Sequence, residues 1–95
     1  MSNHVDGYIL NHVLRTLDEE SLFDYLGRKR TQNITLNFLR LSREYDCNPG
    51  EVLEGIGQRT GVCYLCERAA DDFVGDLCKE CHEEGLRAQH ARNAY

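Results

Sequence analysis

The sequence predicts a mostly α-helical chain. A small N-terminal part of about four short helices is followed by a cysteine-bearing module with a short hairpin and a C-terminal helix. Three observations predict this. Apolar residues recur at helical spacing through the first sixty positions. Two C-x-x-C pairs then follow within nineteen residues. After the second pair, KECHEEGLRAQHARNA is rich in helix formers, with acids early and Arg87 and Arg92 late, the polarity a helix dipole favours. The division falls near Gly61, giving a helical domain over 1–60 and a metal-binding module over 61–95.

The first helix is predicted from Asn3 to Leu17. Val5, Ile9, Val13 and Leu17 recur every four residues with Leu10 and Leu14 alongside, a stripe expected to face the core. Asp18 is read as the cap of a second, short helix carrying Leu22, Phe23 and Leu26, stopped by Gly27. Arg28-Lys29-Arg30 is read as a basic, solvated loop, with a phosphate or an acidic partner as its sharper use. Thr31 is expected to cap the third helix, whose core stripe is Ile34, Phe38, Leu41 and Tyr45. Asn48-Pro49-Gly50-Glu51 combines a cap residue, a proline at the first helical position and an acid at the third. It opens a fourth helix with Val52, Leu53 and Ile56 on one face. Tyr8, Tyr25 and Tyr45 are expected to edge the core. His4, His12 and His90 have no spaced partner and are read as surface or packing residues.

The formal charge is −5, from 11 basic and 16 acidic side chains. Neither half is basic: residues 1–60 carry seven basic against nine acidic, and residues 61–95 four against seven. Phosphate neutralisation dominates nucleic-acid affinity, so a general DNA or RNA binder is not expected. No apolar run is long enough for a membrane helix. The start, MSNHVDG, lacks the basic-then-apolar pattern of a secretory signal, so a cytoplasmic chain with reduced thiols is expected.

The cysteines carry the strongest signal. Cys63 and Cys66 form one pair in VCYLCE, Cys78 and Cys81 another in LCKECH, with eleven residues between the pairs. Two residues between ligands let the backbone turn so that both sulfurs face one ion, and a second pair completes a tetrahedron. Four ligands leave no open position, so one structural Zn²⁺ per chain is expected. An iron–sulfur cluster uses the same four thiolates and stays open as an alternative; redox or disulfide chemistry fits less well without a βαβ context or a signal peptide. His82, next to Cys81, is read as a surface residue because adjacent helix positions diverge. Cys47, in EYDCNPG, is read as a half-buried small residue and not a fifth ligand. Between the pairs, DFVGDL offers one or two short strands with a turn at Gly75-Asp76.

A C-x-x-C pair, a short hairpin, and Leu77-Cys78-Lys79-Glu80-Cys81 opening a helix resemble a treble-clef or zinc-ribbon four-cysteine finger over residues 61–92. The layout is similar to the zinc-binding domains of ClpX-type unfoldases and to the small sporulation anti-sigma factor family of Gin. Both families carry more residues between the pairs than the eleven here, which leaves little room for a full hairpin. What the resemblance implies is a metal-ligand role for Cys63, Cys66, Cys78 and Cys81, dimerisation and protein binding.

No phosphate loop, H-E-x-x-H or nucleophile with a recognisable base is present, so no enzyme is expected. The expected function is a small zinc-binding regulator acting by protein–protein interaction, an inhibitor or modulator of bacterial or phage transcription machinery with RNA polymerase or a sigma factor as partner. The alternative is a zinc-containing transcription regulator in which Phe38–Tyr45 and Pro49–Gly57 form a helix-turn-helix. Its would-be reading helix, PGEVLEGIG, carries two acids and no base, where recognition helices present Arg, Lys, Asn or Gln. A core this small leaves apolar surface uncovered, and Leu36 and Leu39, off the main stripe of the third helix, are expected to form a homodimer contact.

Overall fold

A computed structural model describes the backbone of residues 3–93 and the side chains of residues 3–86. The side chains of Arg87, His90 and Arg92 lie outside the described set. The order is α1 (His4–Glu19), α2 (Leu22–Leu26), α3 (Arg28–Glu44), α4 (Pro49–Val52), α5 (Gly57–Thr60), β1 (Phe73–Val74), β2 (Leu77–Cys78) and α6 (Lys79–Asn93).

Asn3 caps α1, accepting from the Asp6 backbone N–H at 3.1 Å while its side-chain amide donates to the Asp6 carboxylate at 2.6 Å. The helix continues to Glu19, past the expected end at Leu17. Asp18 therefore lies inside α1, and Ser21, with φ 62°, occupies the cap position of α2. The segment read as a basic loop is the first turn of α3: Gly27 precedes the helix and Thr31 lies inside it, its hydroxyl donating to the Gly27 carbonyl at 2.8 Å.

The expected fourth helix is broken. Asn48 accepts from the Gly50 N–H at 2.8 Å as the cap pattern predicts, but α4 ends at Val52 and a new turn, α5, starts at Gly57. The carbonyls freed at the break are taken by Asn11 of α1, which is buried and donates to Val52 O at 2.9 Å and Glu54 O at 3.1 Å. Arg15 steadies Asn11, donating to its Oδ1 at 2.8 Å. The segment PGEVLEGIG thus holds the single turn α4 and only the first residue of α5, with Val52, Leu53 and Ile56 in the core, and forms no projecting reading helix.

The core consists of Leu14, Phe23, Leu39, Cys47, Val52, Leu53, Ile56 and Val62, with Leu10, Leu17, Leu36, Phe38 and Tyr64 packed against it. This corrects both expected stripes in part: Leu10, Leu14 and Leu17 of α1 and Phe38 of α3 do meet the core. On α1 the buried face is Gly7, Asn11 and Leu14, while Val5 is 71% and Ile9 55% exposed. On α3 it is Thr31, Thr35, Leu39 and Ser42, while Leu41 is 41% and Tyr45 58% exposed. Tyr8 and Tyr25 are exposed as well, so none of the three expected edge tyrosines seals the core. Leu39, assigned to a surface contact, is buried, and Leu36 packs on the same core.

Polar residues can line the inner face of α3 because each satisfies itself. Thr35 donates to the Thr31 carbonyl at 2.8 Å and Ser42 to the Leu39 carbonyl at 2.6 Å. Their small size lets α3 approach its neighbours closely.

Candidate metal centre

The second thiol pair and the first are brought together by three short pieces of backbone. Residues 61–70 form a tight reversal closed by a Val62–Ala69 antiparallel bridge, with Cys63 N–H donating to Arg68 O at 3.1 Å and Glu67 N–H to Cys63 O at 2.9 Å. This turn places Cys63 and Cys66 on one side. Strands β1 and β2 then pair antiparallel, Phe73 opposite Cys78 and Val74 opposite Leu77. Gly75, at φ 64°, takes the first central position of their two-residue turn, where a positive φ matches the strand twist. Cys78 ends β2, and Cys81 sits in the first turn of α6 with its N–H 3.5 Å from Cys78 Sγ. The eleven-residue spacing holds a hairpin only because its strands are two residues long.

The four sulfurs of Cys63, Cys66, Cys78 and Cys81 lie within 4.8 Å of one another, and Cys66 Sγ is 3.9 Å from Cys78 Sγ. A tetrahedral zinc with Zn–S bonds of about 2.3 Å requires sulfurs about 3.8 Å apart. The cluster therefore fits one metal ion. Cys63, Cys78 and Cys81 are buried and Cys66 is half-buried, with Ala70, Phe73 and Leu77 packed around them. A hollow of about 220 Å³ reaches the sulfurs from the side of Cys66, Arg68, Glu80 and Glu84.

The electrostatics of the four thiols suit a shared cation. Burial raises the Cys63 thiol, but the backbone N–H groups of Cys66, Cys78 and Leu65 outweigh it and bring it down to about 7. Burial, then the neighbouring sulfurs, push Cys81 up, and Cys66 is raised chiefly by burial. Four thiols this close cannot all ionise alone; a dication removes that conflict and releases their protons.

His82 is half-buried and stands outside the sulfur set. Cys47 belongs to the main core, its thiol 3.8 Å from Tyr45 O.

Four anchors tie this centre to the helices, and motif reading singled out none of them for that role. Arg43 of α3 pairs with both carboxylate oxygens of Glu67, Nε to Oε1 at 3.0 Å. Glu67 itself has φ 54°, so the residue after Cys66 holds a left-handed conformation unusual for a side chain. Arg28 donates to Gln58 O at 2.7 Å and Ala70 O at 3.3 Å, and its guanidinium lies 6.0 Å over the Phe73 ring. Gln32 donates to Ala70 O at 3.1 Å and Gly61 O at 3.2 Å. Gly61 permits that approach: at φ 75° a Cβ would fall 2.8 Å from both Arg28 and Gln32. In return, Asp76 of the hairpin accepts from the backbone N–H groups of Gly55 at 2.8 Å and Gly57 at 3.1 Å.

No family model, curated protein or solved structure matches this chain. Among the described residues no helix is long and apolar enough to cross a membrane.

Proposed function

We propose that this chain is a small zinc-binding regulatory protein that works by binding another protein, with one structural Zn²⁺ held by Cys63, Cys66, Cys78 and Cys81. The observation that carries the proposal is the sulfur cluster: four donors at the spacing of a tetrahedron's edges, three of them buried. A complete four-thiolate set leaves no position for an activated water, which suits a staple and not a catalyst. A knuckle, a hairpin and a helix opening at the second pair support the treble-clef reading. The acidic balance favours a protein partner with a basic surface over nucleic acid. The resemblance names the partner class, bacterial or phage transcription machinery.

Elemental analysis after zinc-supplemented expression tests the metal. One zinc per chain is expected, with the metal lost in Cys81→Ser and kept in Cys47→Ser. Iron in the cluster, or less than half an equivalent of any metal, overturns the assignment. Purified RNA polymerase and sigma factor titrated with the zinc-loaded chain test the partner class: saturable binding is expected, and binding to random duplex DNA but to neither protein refutes it.

A further inference from the structure

Part of each stripe that sequence periodicity assigned to the core lies outside it: Val5, Ile9 and Val13 of α1, and Leu41 and Tyr45 of α3, are exposed. Asn3 N–H donates to Asp46 O at 2.6 Å, so the start of α1 lies beside the end of α3 and the two helices run antiparallel. Ile9 and Leu10 of α1 meet Leu41 and Tyr45 of α3 in a groove of about 290 Å³. Val5 and Val13 continue the line one turn either way on α1, and Tyr8 borders Val5. The core on the other side of both helices is already filled by Leu14, Leu39 and their neighbours. Each helix therefore carries a second apolar face that the folded chain does not bury.

The size and charge of this face identify its occupant. Two half-exposed tyrosines, each with on the order of 200 Å² of surface, join four aliphatic side chains at least a third exposed, giving several hundred Å² of apolar area. His12 and Thr16 of α1 and Asn37 of α3, exposed and three or four residues along the helices from these side chains, widen the face toward the roughly 800 Å² per partner of a stable complex. Of the residues lining the groove, Asp6 alone is charged, and its carboxylate already accepts from Asn3. A basic partner would meet little counter-charge in the groove itself. A partner as charge-poor as the face itself is required, and the same face on a second copy of this chain meets that requirement. Self-complementarity of one patch is also what a two-fold dimer needs.

We infer that α1 and α3 form a homodimer face, two antiparallel helices packing on the same two helices of a second copy around Ile9, Leu41 and Tyr45. The arrangement is a four-helix layer in which each chain supplies one antiparallel pair. It is independent of the metal centre, whose cysteines lie outside this face.

Sedimentation velocity on the full chain across a dilution series tests the inference, with metal content measured on the same samples. The mass should be twice 10.9 kDa at high concentration and fall to 10.9 kDa on dilution. Ile9→Glu and Tyr45→Glu, at positions more than half exposed, should each raise the dimer dissociation constant about thirty-fold or more, with helical circular dichroism and metal content unchanged. Tyr25→Glu, exposed on α2, should leave the dimer as it is. A mass of 10.9 kDa at every concentration overturns the inference and leaves the face to a heterologous partner. A dimer that tolerates both variants, folded and metal-loaded, overturns it equally.

Discussion

Glu67 stands where the knuckle backbone must turn left-handed, and its carboxylate holds Arg43. The two roles oppose each other, and a pair of variants separates them. Glu67→Ala and Glu67→Gly lose the ion pair alike, so their difference reports the backbone alone. Glycine accepts positive φ without the Cβ clash that costs other residues roughly 1–2 kcal/mol. Thermal melts of the zinc-loaded variants should therefore rank Gly above Ala by about 1 kcal/mol; equal melts would remove the strain argument. Cys47 offers a pH test. Burial first, then Asp6, Asp46 and Glu51, raise its thiol above the usual 9.0. A raised folded-state value favours the protonated form, so its contribution is whole below the unfolded value and is lost as pH rises through the folded one. Stability should decline above about pH 9, where an unfolded thiol ionises. Urea titrations should show the decline flattened in Cys47→Ala.

At the scale of elements, the sequence was most legible where local chemistry decides the outcome. The Asn48-Pro49 cap, Val52, Leu53 and Ile56 as core, the Gly75-Asp76 turn and the thiol pairs all stand where residue type and spacing put them. The first helix starts beside Asn3 and Gly27 ends α2, as expected. Periodicity was right for Leu10, Leu14, Leu17 and Phe38 and wrong for the rest of each stripe, because it assumes that one apolar stripe means one buried face. In α3 the inner face is Thr31, Thr35 and Ser42, hydroxyls bonded back to their own helix, and nothing in a hydrophobicity pattern marks them as interior. Asn11 was equally hidden: a polar residue on a helix reads as outward until the broken α4–α5 segment shows which carbonyls it caps. If size and not polarity selects Thr35, Thr35→Val should change stability by less than about 1 kcal/mol, since valine keeps the shape and the carbonyl keeps its helix bond. Thr35→Leu should cost about 1–3 kcal/mol from overpacking, read as a lower urea midpoint at constant slope. A tolerated leucine would mean α3 is not closely packed there.

At the scale of the whole molecule, two clusters are unequal in what they can hold. Among the described residues the helical core contains eight buried ones; the sulfur centre has its cysteines, Ala70, Phe73 and Leu77. The radius of gyration, 14.1 Å, exceeds the roughly 12 Å of a compact chain this long, in keeping with a flat molecule. The sulfur centre packs few apolar groups of its own, so if it holds a cation, that ion is expected to be the main tie ordering the hairpin and α6, while α1 and α3 have their own core. The anchors run both ways, however: Asp76 caps Gly55 and Gly57, and Arg28 and Gln32 reach Ala70. Metal removal should therefore melt the hairpin and α6 first and also lower the melting temperature of the helices. Acid should act as a chelator does, because uptake of the ion displaces thiol protons, and metal release should grow steadily as pH falls. Hydrogen exchange on the chelated protein distinguishes the parts. Protection should vanish in Cys78–Leu86 and persist in Leu14 and Leu39. Protection retained at Cys81 without metal would show that packing, not the ion, orders the centre, and its role as a staple would fall.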